Sequence, residues 1–224
     1  MKCNFCEGNC QKAGKQKNGA QKHYCKVCRK YQQANYSYYA YSKDVNRMIC
    51  TLVCESVSIR GIARILKISV STVHRRIRRI GKRIEKPAIV LNQKEFEVDE
   101  LRTFIGRKGN EYWLAYAFNK HTSEVVDFII GRRSKRTLRM LINTLLLSGV
   151  GSIRTDNLNI YRSLIPPSVH CYGAYCINHI ERKNLSIRTH LKRLSRRTIC
   201  FSRSYTMLES CLKIYFWGRS KAWT

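Results

Sequence analysis

The stretch 96-FEVDELRTFIGRKGNEYWLAYAFNKHTSEVVDFII-130 decides the fold of the larger part of this chain. It contains three short runs rich in aromatic and β-branched residues, at 96–105, 111–118 and 124–130. Two polar segments, GRKGN and NKHTS, separate the runs and have the composition of turns. The pattern therefore predicts three consecutive antiparallel strands.

Downstream of these strands, the sequence alternates between helical and extended patterns. We predict helix, strand, helix or turn, strand and long helix, at 134–147, 151–155, 158–164, 169–173 and 177–194. This order is α/β and is compatible with a ribonuclease H-like core. We assign 96–217 to that domain and 218–224 to a tail.

Acidic residues are scarce in this region, which makes each of them informative. Between residues 128 and 208 the only carboxylates are Asp156 and Glu181, among 15 Lys and Arg residues. With one acid from the first strand they would form a three-carboxylate site for Mg²⁺, which prefers oxygen ligands. Strand register cannot choose among Glu97, Asp99 and Glu100. Asp156 as a helix cap and Glu181 as a partner of the basic residues beside it remain the structural alternative.

The charge balance points to a polyanionic partner. The 224 residues carry 43 Lys and Arg against 14 Asp and Glu, a net charge of +29 with a pI near 10.1. Because no apolar run is long enough to span a membrane and the start MKCNFCEGNC has no apolar signal core, we expect no membrane partner. We expect a bacterial-type cytoplasmic, nucleoid-associated protein.

The N-terminal segment has the cysteine spacing of a zinc ribbon. Cys3-x2-Cys6 and Cys25-x2-Cys28 are two knuckles, and four thiolates complete a tetrahedral Zn²⁺ site. Cys10 or His23 as a substitute ligand, and free cysteines in a basic loop, are the alternatives. We assign 1–42 to the ribbon, and we interpret the tyrosines of 36–41 as a packing edge rather than a base-stacking surface.

Two short amphipathic helices follow, and they predict a helix-turn-helix within 43–86. Ser69 is placed to cap the second helix, and Lys67 occupies a turn position where glycine is frequent. Seven Lys and Arg residues between 75 and 86 favour phosphate binding over an ordinary helical hairpin with a solvated basic face. Pro87 ends the helix and opens a linker, 87–95. The predicted DNA contacts on the second helix are Ser71, Thr72, His74, Arg75, Arg78, Arg79 and Lys82.

These motifs together resemble the fused InsA–InsB transposases of the insertion-sequence-one family, over nearly the whole chain. The matching blocks, in the family's order, are the two CxxC knuckles, the helix-turn-helix at 57–80, Glu97–Glu100, Gly131–Arg133, Thr155–Asp156, and 180-IERKN-184 followed by LSIRTHLKRLSRRTICFS. The resemblance implies a DDE transposase on a ribonuclease H-like fold, with Asp99, Asp156 and Glu181 as the catalytic acids. In that family the full protein commonly arises by frameshifting, whereas this chain reads as one frame.

The predicted function is therefore transposition of an insertion sequence. The ribbon and helix-turn-helix would bind the terminal inverted repeats in double-stranded DNA, and the catalytic domain would cut and join strands with Mg²⁺ or Mn²⁺. Arg182 and Lys183 are predicted phosphate contacts. Since two element ends must be joined together, we expect a homo-oligomer on DNA. The alternatives are a DNA-binding regulator with an inert catalytic domain and a ribonuclease H-like nuclease.

Overall fold

The chain divides into two units, Met1–Lys43 and Asp44–Thr224, in this computed structural model. The predicted linker at 87–95 lies within the second unit. The structure describes residues 1–17, 19–34, 40, 42, 44–89, 95–173 and 176–221. Apart from Ala40, the aromatic stretch 36–41 lies outside the described residues, as do residues 90–94 of the predicted linker.

The first unit is built on a three-stranded antiparallel sheet. Its strands, in the order β1-β2-β3, are β1 (Cys10–Lys15), β2 (Gln21–Cys25) and β3 (Tyr31–Gln33). Among the described residues of this unit few are buried, and they are Cys3, Cys25, Gln32, Gln33 and Ala40. A core with so little apolar surface contributes little to folding, so the segment needs another source of stability.

Three helices open the second unit: α1 (Val45–Cys54), α2 (Ile59–Ile65) and α3 (Val70–Arg83). Ser69 caps α3 as the sequence predicts, because its hydroxyl accepts a hydrogen bond from the Thr72 amide at 3.1 Å. Lys67 takes the left-handed backbone conformation, φ +50°, that the turn between α2 and α3 requires. The two helices therefore meet at the expected tight turn.

A five-stranded mixed sheet forms the centre of the second unit. Its strands are β4 (Glu95–Phe104), β5 (Glu111–Asn119), β6 (Val125–Gly131), β7 (Ser152–Thr155) and β8 (His170–Tyr172). In the sheet order β6-β5-β4-β7-β8, the first three strands pair antiparallel as predicted, and β7 and β8 add parallel. Strand β4 is therefore central, with β5 on one side and β7 on the other.

The remaining helices cover both faces of this sheet. They are α4 (Lys135–Leu147), α5 (Asn159–Arg162), α6 (Asn178–His190) and α7 (Tyr205–Lys221). Residues of α4 and α5 pack on the face that contains Phe96 and Val98, whereas α6 and α7 pack on the face that contains Leu101 and Tyr116. The result is a three-layer α/β arrangement, in agreement with the predicted class.

Two predicted boundaries differ from the structure. The long helix expected over 177–194 ends at His190 and is followed by a short 3-10 turn, Lys192–Leu194. The cause is distant in sequence: Ser56 Oγ donates to the His190 carbonyl at 2.5 Å and accepts from the Lys192 amide at 2.6 Å. In addition, α7 continues to Lys221, past the point where we predicted a tail.

Helix α7 also joins the N-terminal helices to the sheet. Gly81 of α3 lies against Ser210 of α7 so closely that a Cβ at residue 81 would stand 2.6 Å from the Ser210 Cα. On its other side, the Trp217 indole of α7 donates to the Val125 carbonyl of β6 at 2.6 Å. Among the described residues, none of the helices combines the length and apolar character that crossing a bilayer requires.

Candidate active site

The site lies where β7 ends beside β4. The two strands run parallel, and their last paired residues are Val98 and Thr155. Asp156 follows immediately, at the position next to Asp99. Since β7 stops there, the remainder of β4 is paired with β5 and, within the described part of the chain, with no strand on its other side. This leaves a notch in the sheet, and we call it the β4–β7 notch.

Three carboxylates meet at the notch. Asp99, Glu100 and Asp156 each have a carboxylate oxygen in a group whose atoms all lie within 4.8 Å of one another. Asp99 and Asp156 are half-buried, and Glu100 is buried. The structure thus brings together two of the predicted acids and adds a third that the prediction did not select. We call this group the carboxylate cluster.

Glu181, the other predicted acid, occupies the first turn of α6 and is exposed. It is not a member of the carboxylate cluster, but it lies near enough for its charge to act on Asp99. The pKa of Asp99 is raised mainly by burial, with further contributions from the charges of Asp156 and Glu181. The charge of Glu181 therefore acts on Asp99 although Glu181 lies outside the carboxylate cluster.

A buried chain of hydrogen bonds fixes Asp99. The Asn184 side-chain amide donates to Asp99 Oδ2 at 2.5 Å, and the Tyr116 hydroxyl donates to Asn184 Oδ1 at 2.7 Å. The backbone amide of Glu100 donates to Asp99 Oδ1 at 2.8 Å. Both carboxylate oxygens of Asp99 are thus held in defined positions.

Glu97 has a different role from its neighbours on β4. Its side chain is 1% exposed and accepts from the Ile180 backbone amide at 2.6 Å. Its other oxygen lies 2.8 Å from Nδ1 of His179, a residue whose side chain is 55% exposed. Glu97 therefore fastens the first turn of α6, which contains Glu181, to the sheet.

Asp156 is held by the loop that follows β7. Its Oδ1 accepts from the Leu158 amide at 3.1 Å, and Leu158 itself occupies the position before α5. Thr155 donates to the Asp156 carbonyl at 2.9 Å, with its hydroxyl also 2.8 Å from His170 Nε2. The Asp156 carboxylate thus makes a local turn contact and also reaches the carboxylate cluster.

Sequence reasoning missed Tyr116, His179 and Asn184, and it considered Glu97 only as a candidate ligand and not as a residue that positions α6. For Asn184 the available signal was its place in α6, three residues after Glu181 and four after the buried Ile180. Tyr116 gave no signal, because it lies in an aromatic strand whose composition is explained by core packing.

Glu100 contacts a basic and aromatic group. Its Oε2 lies 3.5 Å from the Arg133 guanidinium, which in turn lies 4.5 Å from the centre of the Trp113 ring. Burial raises the pKa of Glu100 to about 7, although the charge of Arg133 acts in the opposite direction. Arg133 is therefore placed between the carboxylate cluster and solvent.

The predicted DNA contacts on α3 divide by exposure. Thr72 is buried, with its hydroxyl 2.8 Å from Ser69 Oγ, and His74 is half-buried. The exposed members are Ser71, Arg75, Arg78, Arg79 and Lys82. On α6, Arg182 is exposed and Lys183 is half-buried. Four of the predicted contacts are thus cationic side chains on the solvent side of α3.

The four predicted zinc-ligand cysteines come together in the first unit. The sulfur atoms of Cys3, Cys6, Cys25 and Cys28 all lie within 4.8 Å of one another, with Cys3–Cys28 and Cys6–Cys25 distances of 3.5 Å. Cys10 is not in this group, but burial and the nearby Cys3 raise its pKa to about 11. His23 lies on β2, paired with Lys12 of β1, and is also outside it.

Comparison with known proteins adds a family match. The family model described as IS1 transposase matches residues 90–219. The chain is 38% identical over 116 residues to insertion element iso-IS1n protein InsB of Shigella dysenteriae, a match that covers 52% of this chain and 88% of that protein. It is 32% identical over 119 residues to insertion element IS1 protein InsB of Shigella flexneri, covering 53% and 91%.

One solved structure, a simian T-cell lymphotropic virus intasome in complex with PP2A regulatory subunit B56 gamma, aligns with 73% of this chain and 66% of its own. Its TM-score is 0.39 at 13% sequence identity, and a likeness at that level does not define a fold.

Proposed function

The chain belongs to the IS1 transposase family, and we propose that it cuts DNA strands at the ends of an insertion sequence and joins the freed 3′-hydroxyl to target DNA. The observation that supports this activity is the carboxylate cluster at the β4–β7 notch. It lies in the region that matches the family, on a mixed sheet with helices on both faces, which supports a ribonuclease H-like fold.

Asp99, Asp156 and Glu181 are the proposed ligands of divalent cations, Mg²⁺ or Mn²⁺. The notch fits such an ion, because Asp99 and Asp156 are half-buried with grouped carboxylate oxygens, and Glu181 lies near enough for its charge to act on Asp99. In the described part of the chain, no Lys, Arg or His nitrogen lies within 4.0 Å of an Asp99 or Asp156 carboxylate oxygen. Hard cations prefer such oxygen ligands, and uncompensated negative charge favours their binding.

When bound, divalent cations supply Lewis-acid activation of a water or 3′-hydroxyl and stabilise the leaving oxygen of a phosphodiester. The side chains of the protein hold the reacting groups. Asn184 fixes Asp99, Glu97 fastens the first turn of α6, and Arg182 and Lys183 on that helix contact phosphates of the bound strand. No side chain forms a covalent bond to DNA in this proposal.

The exposed cations of α3 are the proposed contacts to the terminal inverted repeats. A second helix that follows a tight turn and presents polar side chains to solvent fits the major groove. The net charge of +29 supports extensive phosphate contact around that helix. Arg75 and Arg78 each have the donors to contact either guanine or phosphate.

The four clustered cysteines are the proposed Zn²⁺ site of the first unit. A tetrahedral Zn²⁺ ion with Zn–S bonds of about 2.3 Å has sulfur–sulfur edges of about 3.8 Å. The observed 3.5 Å separations are close to that value. Such a site would supply the stability that the small core of this unit lacks.

Pairing of two element ends implies that the protein acts as a homo-oligomer on double-stranded DNA, and this is part of the proposal.

The function is tested with labelled DNA from both flanks of the gene and a target plasmid, with and without Mg²⁺. Wild type is compared with Asp156→Asn and with Asp44→Asn, an exposed aspartate whose side chain makes no cap hydrogen bond. We expect Mg²⁺-dependent cleavage and joining in the wild type and Asp44→Asn, and neither reaction in Asp156→Asn.

Two outcomes would contradict the proposal. Binding without any chemistry in the wild type would leave a DNA-binding regulator, and cut ends that never become recombinant joints would indicate a nuclease.

A further inference from the structure

The carboxylate cluster contains an acid that neither the family triad nor the proposed mechanism uses. Glu100 has a carboxylate oxygen within 4.8 Å of those of Asp99 and Asp156. A cluster of acids alone is weak evidence for a ligand, because surface acids group together without one. The evidence for Glu100 comes from its environment.

One oxygen of Glu100 is buried without a partner. The side chain is 1% exposed, and its Oε1 has no hydrogen-bond partner among the described residues. The buried Tyr161 hydroxyl lies beside Glu100 and opposes the rise in its pKa, but the two groups do not meet the geometry of a hydrogen bond. Leaving a carboxylate oxygen buried and unpaired is costly, so a fold retains it only where something else compensates.

Arg133 does not provide that compensation. It approaches only the other oxygen, Oε2, and the 3.5 Å separation is at the long end for a charged hydrogen bond. The stacking of Arg133 on Trp113 at 4.5 Å holds the guanidinium to that side of Glu100. Oε1 is thus without a charged partner among the described residues.

The end of β7 explains how two consecutive residues reach one site. Side chains of neighbouring strand residues point to opposite faces, so Asp99 and Glu100 would normally be separated by the sheet. After the pairing of Val98 with Thr155, β4 has no strand partner on the β7 side among the described residues, and Asp156 directly follows the last paired residue of β7. Acids from both faces can therefore approach a common point in the notch.

We propose that Glu100 is a further ligand of the divalent-cation site, contributing Oε1 beside Asp99 and Asp156. This rests on the cation site of the proposed function and extends it. Arg133 then orients Glu100 through Oε2 and acts as a positioning residue.

The test measures Mn²⁺ binding to the full chain by electron paramagnetic resonance, without DNA. Glu100→Gln keeps the side-chain shape and removes the charge, and we expect Mn²⁺ affinity to fall about tenfold or more. The matched control is Glu95→Gln on the same strand, where the acid pairs with Lys120 and Arg154 away from the cluster. We expect wild-type affinity for that control.

A purely structural role would lower the melting temperature of Glu100→Gln and leave its Mn²⁺ affinity at the wild-type value, and that result would overturn the proposal. If Glu100→Gln does not fold, Glu100→Asp decides, since the shorter side chain keeps the charge but withdraws the oxygen. Weaker Mn²⁺ binding by Glu100→Asp is expected, and unchanged binding contradicts the assignment.

Asp156→Asn separates this inference from the proposed function. Loss of Mn²⁺ binding and joining in Asp156→Asn, together with wild-type affinity in Glu100→Gln, would retain the transposase site and reject Glu100 as its ligand. Wild-type Mn²⁺ affinity in both variants would reject the cation site itself.

Discussion

Asn184 connects the core of the protein to its candidate catalytic acid. Because its amide donates to Asp99 and its carbonyl accepts from Tyr116, replacing it leaves buried polar groups without their partners. We expect Asn184→Ala to lower the free energy of unfolding by about 1–3 kcal/mol. We also expect strand joining to slow by about tenfold or more, since Asp99 loses the group that orients it.

The two effects are measured by urea denaturation and by the joining assay with Mg²⁺. Asn143→Ala is the matched control, because Asn143 is exposed on α4. We expect its stability to stay within about 0.5 kcal/mol of the wild type. A joining rate for Asn184→Ala equal to that of the control would show that Asp99 needs no such support.

At this scale the sequence could nominate acids but could not separate their roles. Glu97, Asp99 and Glu100 are one to three residues apart on a single strand, and only their partners distinguish them. Glu97 contacts α6 from a position 83 residues away in sequence, and Asp99 depends on Asn184, 85 residues away. Such contacts follow from tertiary packing, which local patterns do not encode.

The crossing of α3 and α7 is the clearest constraint on an element. A Cβ at residue 81 would lie 2.6 Å from the Ser210 Cα, which is backbone and cannot rotate away. Alanine normally favours a helix over glycine by about 0.5–1 kcal/mol. Forcing the two helices apart costs about 1–3 kcal/mol, so we expect a net loss of stability for Gly81→Ala.

Thermal and urea unfolding measure this loss. The control is Gly109→Ala, where an added Cβ would have no heavy atom within 4 Å. We expect Gly109→Ala to unfold like the wild type. Equal stability of the two variants would mean that the crossing of α3 and α7 adjusts at no cost.

Elements with a strong local signal were predicted well. The three antiparallel strands follow from aromatic and β-branched runs, and the start of α3 follows from the capping residue Ser69. Lys67 takes the left-handed conformation of the turn although glycine is frequent at that position. The end of α6 was predicted too late, because Ser56, 134 residues away, hydrogen-bonds the His190 carbonyl. Local helix propensity favours a continuation of α6 beyond His190, whereas the contact with Ser56 favours its end there.

At the scale of the whole molecule, the two units should respond differently to metal removal. The first unit buries little apolar surface, so the proposed Zn²⁺ ion supplies much of its folding free energy. We expect a strong chelator to abolish amide protection in residues 1–34 and to leave protection of the five-stranded sheet unchanged. Hydrogen exchange followed by mass spectrometry measures both regions in one experiment.

Two cysteine variants provide the control. Cys25→Ser removes a member of the four-sulfur group, whereas Cys10→Ser changes a neighbouring cysteine outside it. We expect about one Zn²⁺ per chain in Cys10→Ser and a clear loss in Cys25→Ser, because a closed structural site needs four ligands. If Cys25→Ser retains its zinc, Cys25 is not one of the zinc ligands.

The positive charge of the molecule should act through particular residues on DNA. Arg75 and Arg78 lie three residues apart on the exposed side of α3, and Arg136 and Arg139 have the same spacing and exposure on α4. Each lost phosphate contact lowers the slope of log affinity against log salt by about 0.9. If α3 enters the DNA groove and both arginines contact phosphate, the Arg75→Ala/Arg78→Ala variant should lose about 2 from the slope, and Arg136→Ala/Arg139→Ala should keep the wild-type value. Fluorescence anisotropy with element-end DNA over a salt series measures these slopes. Equal slopes for the two variants would show that the arginines of α3 and of α4 contribute equally to phosphate binding. This result would contradict the proposed role of α3 in DNA recognition.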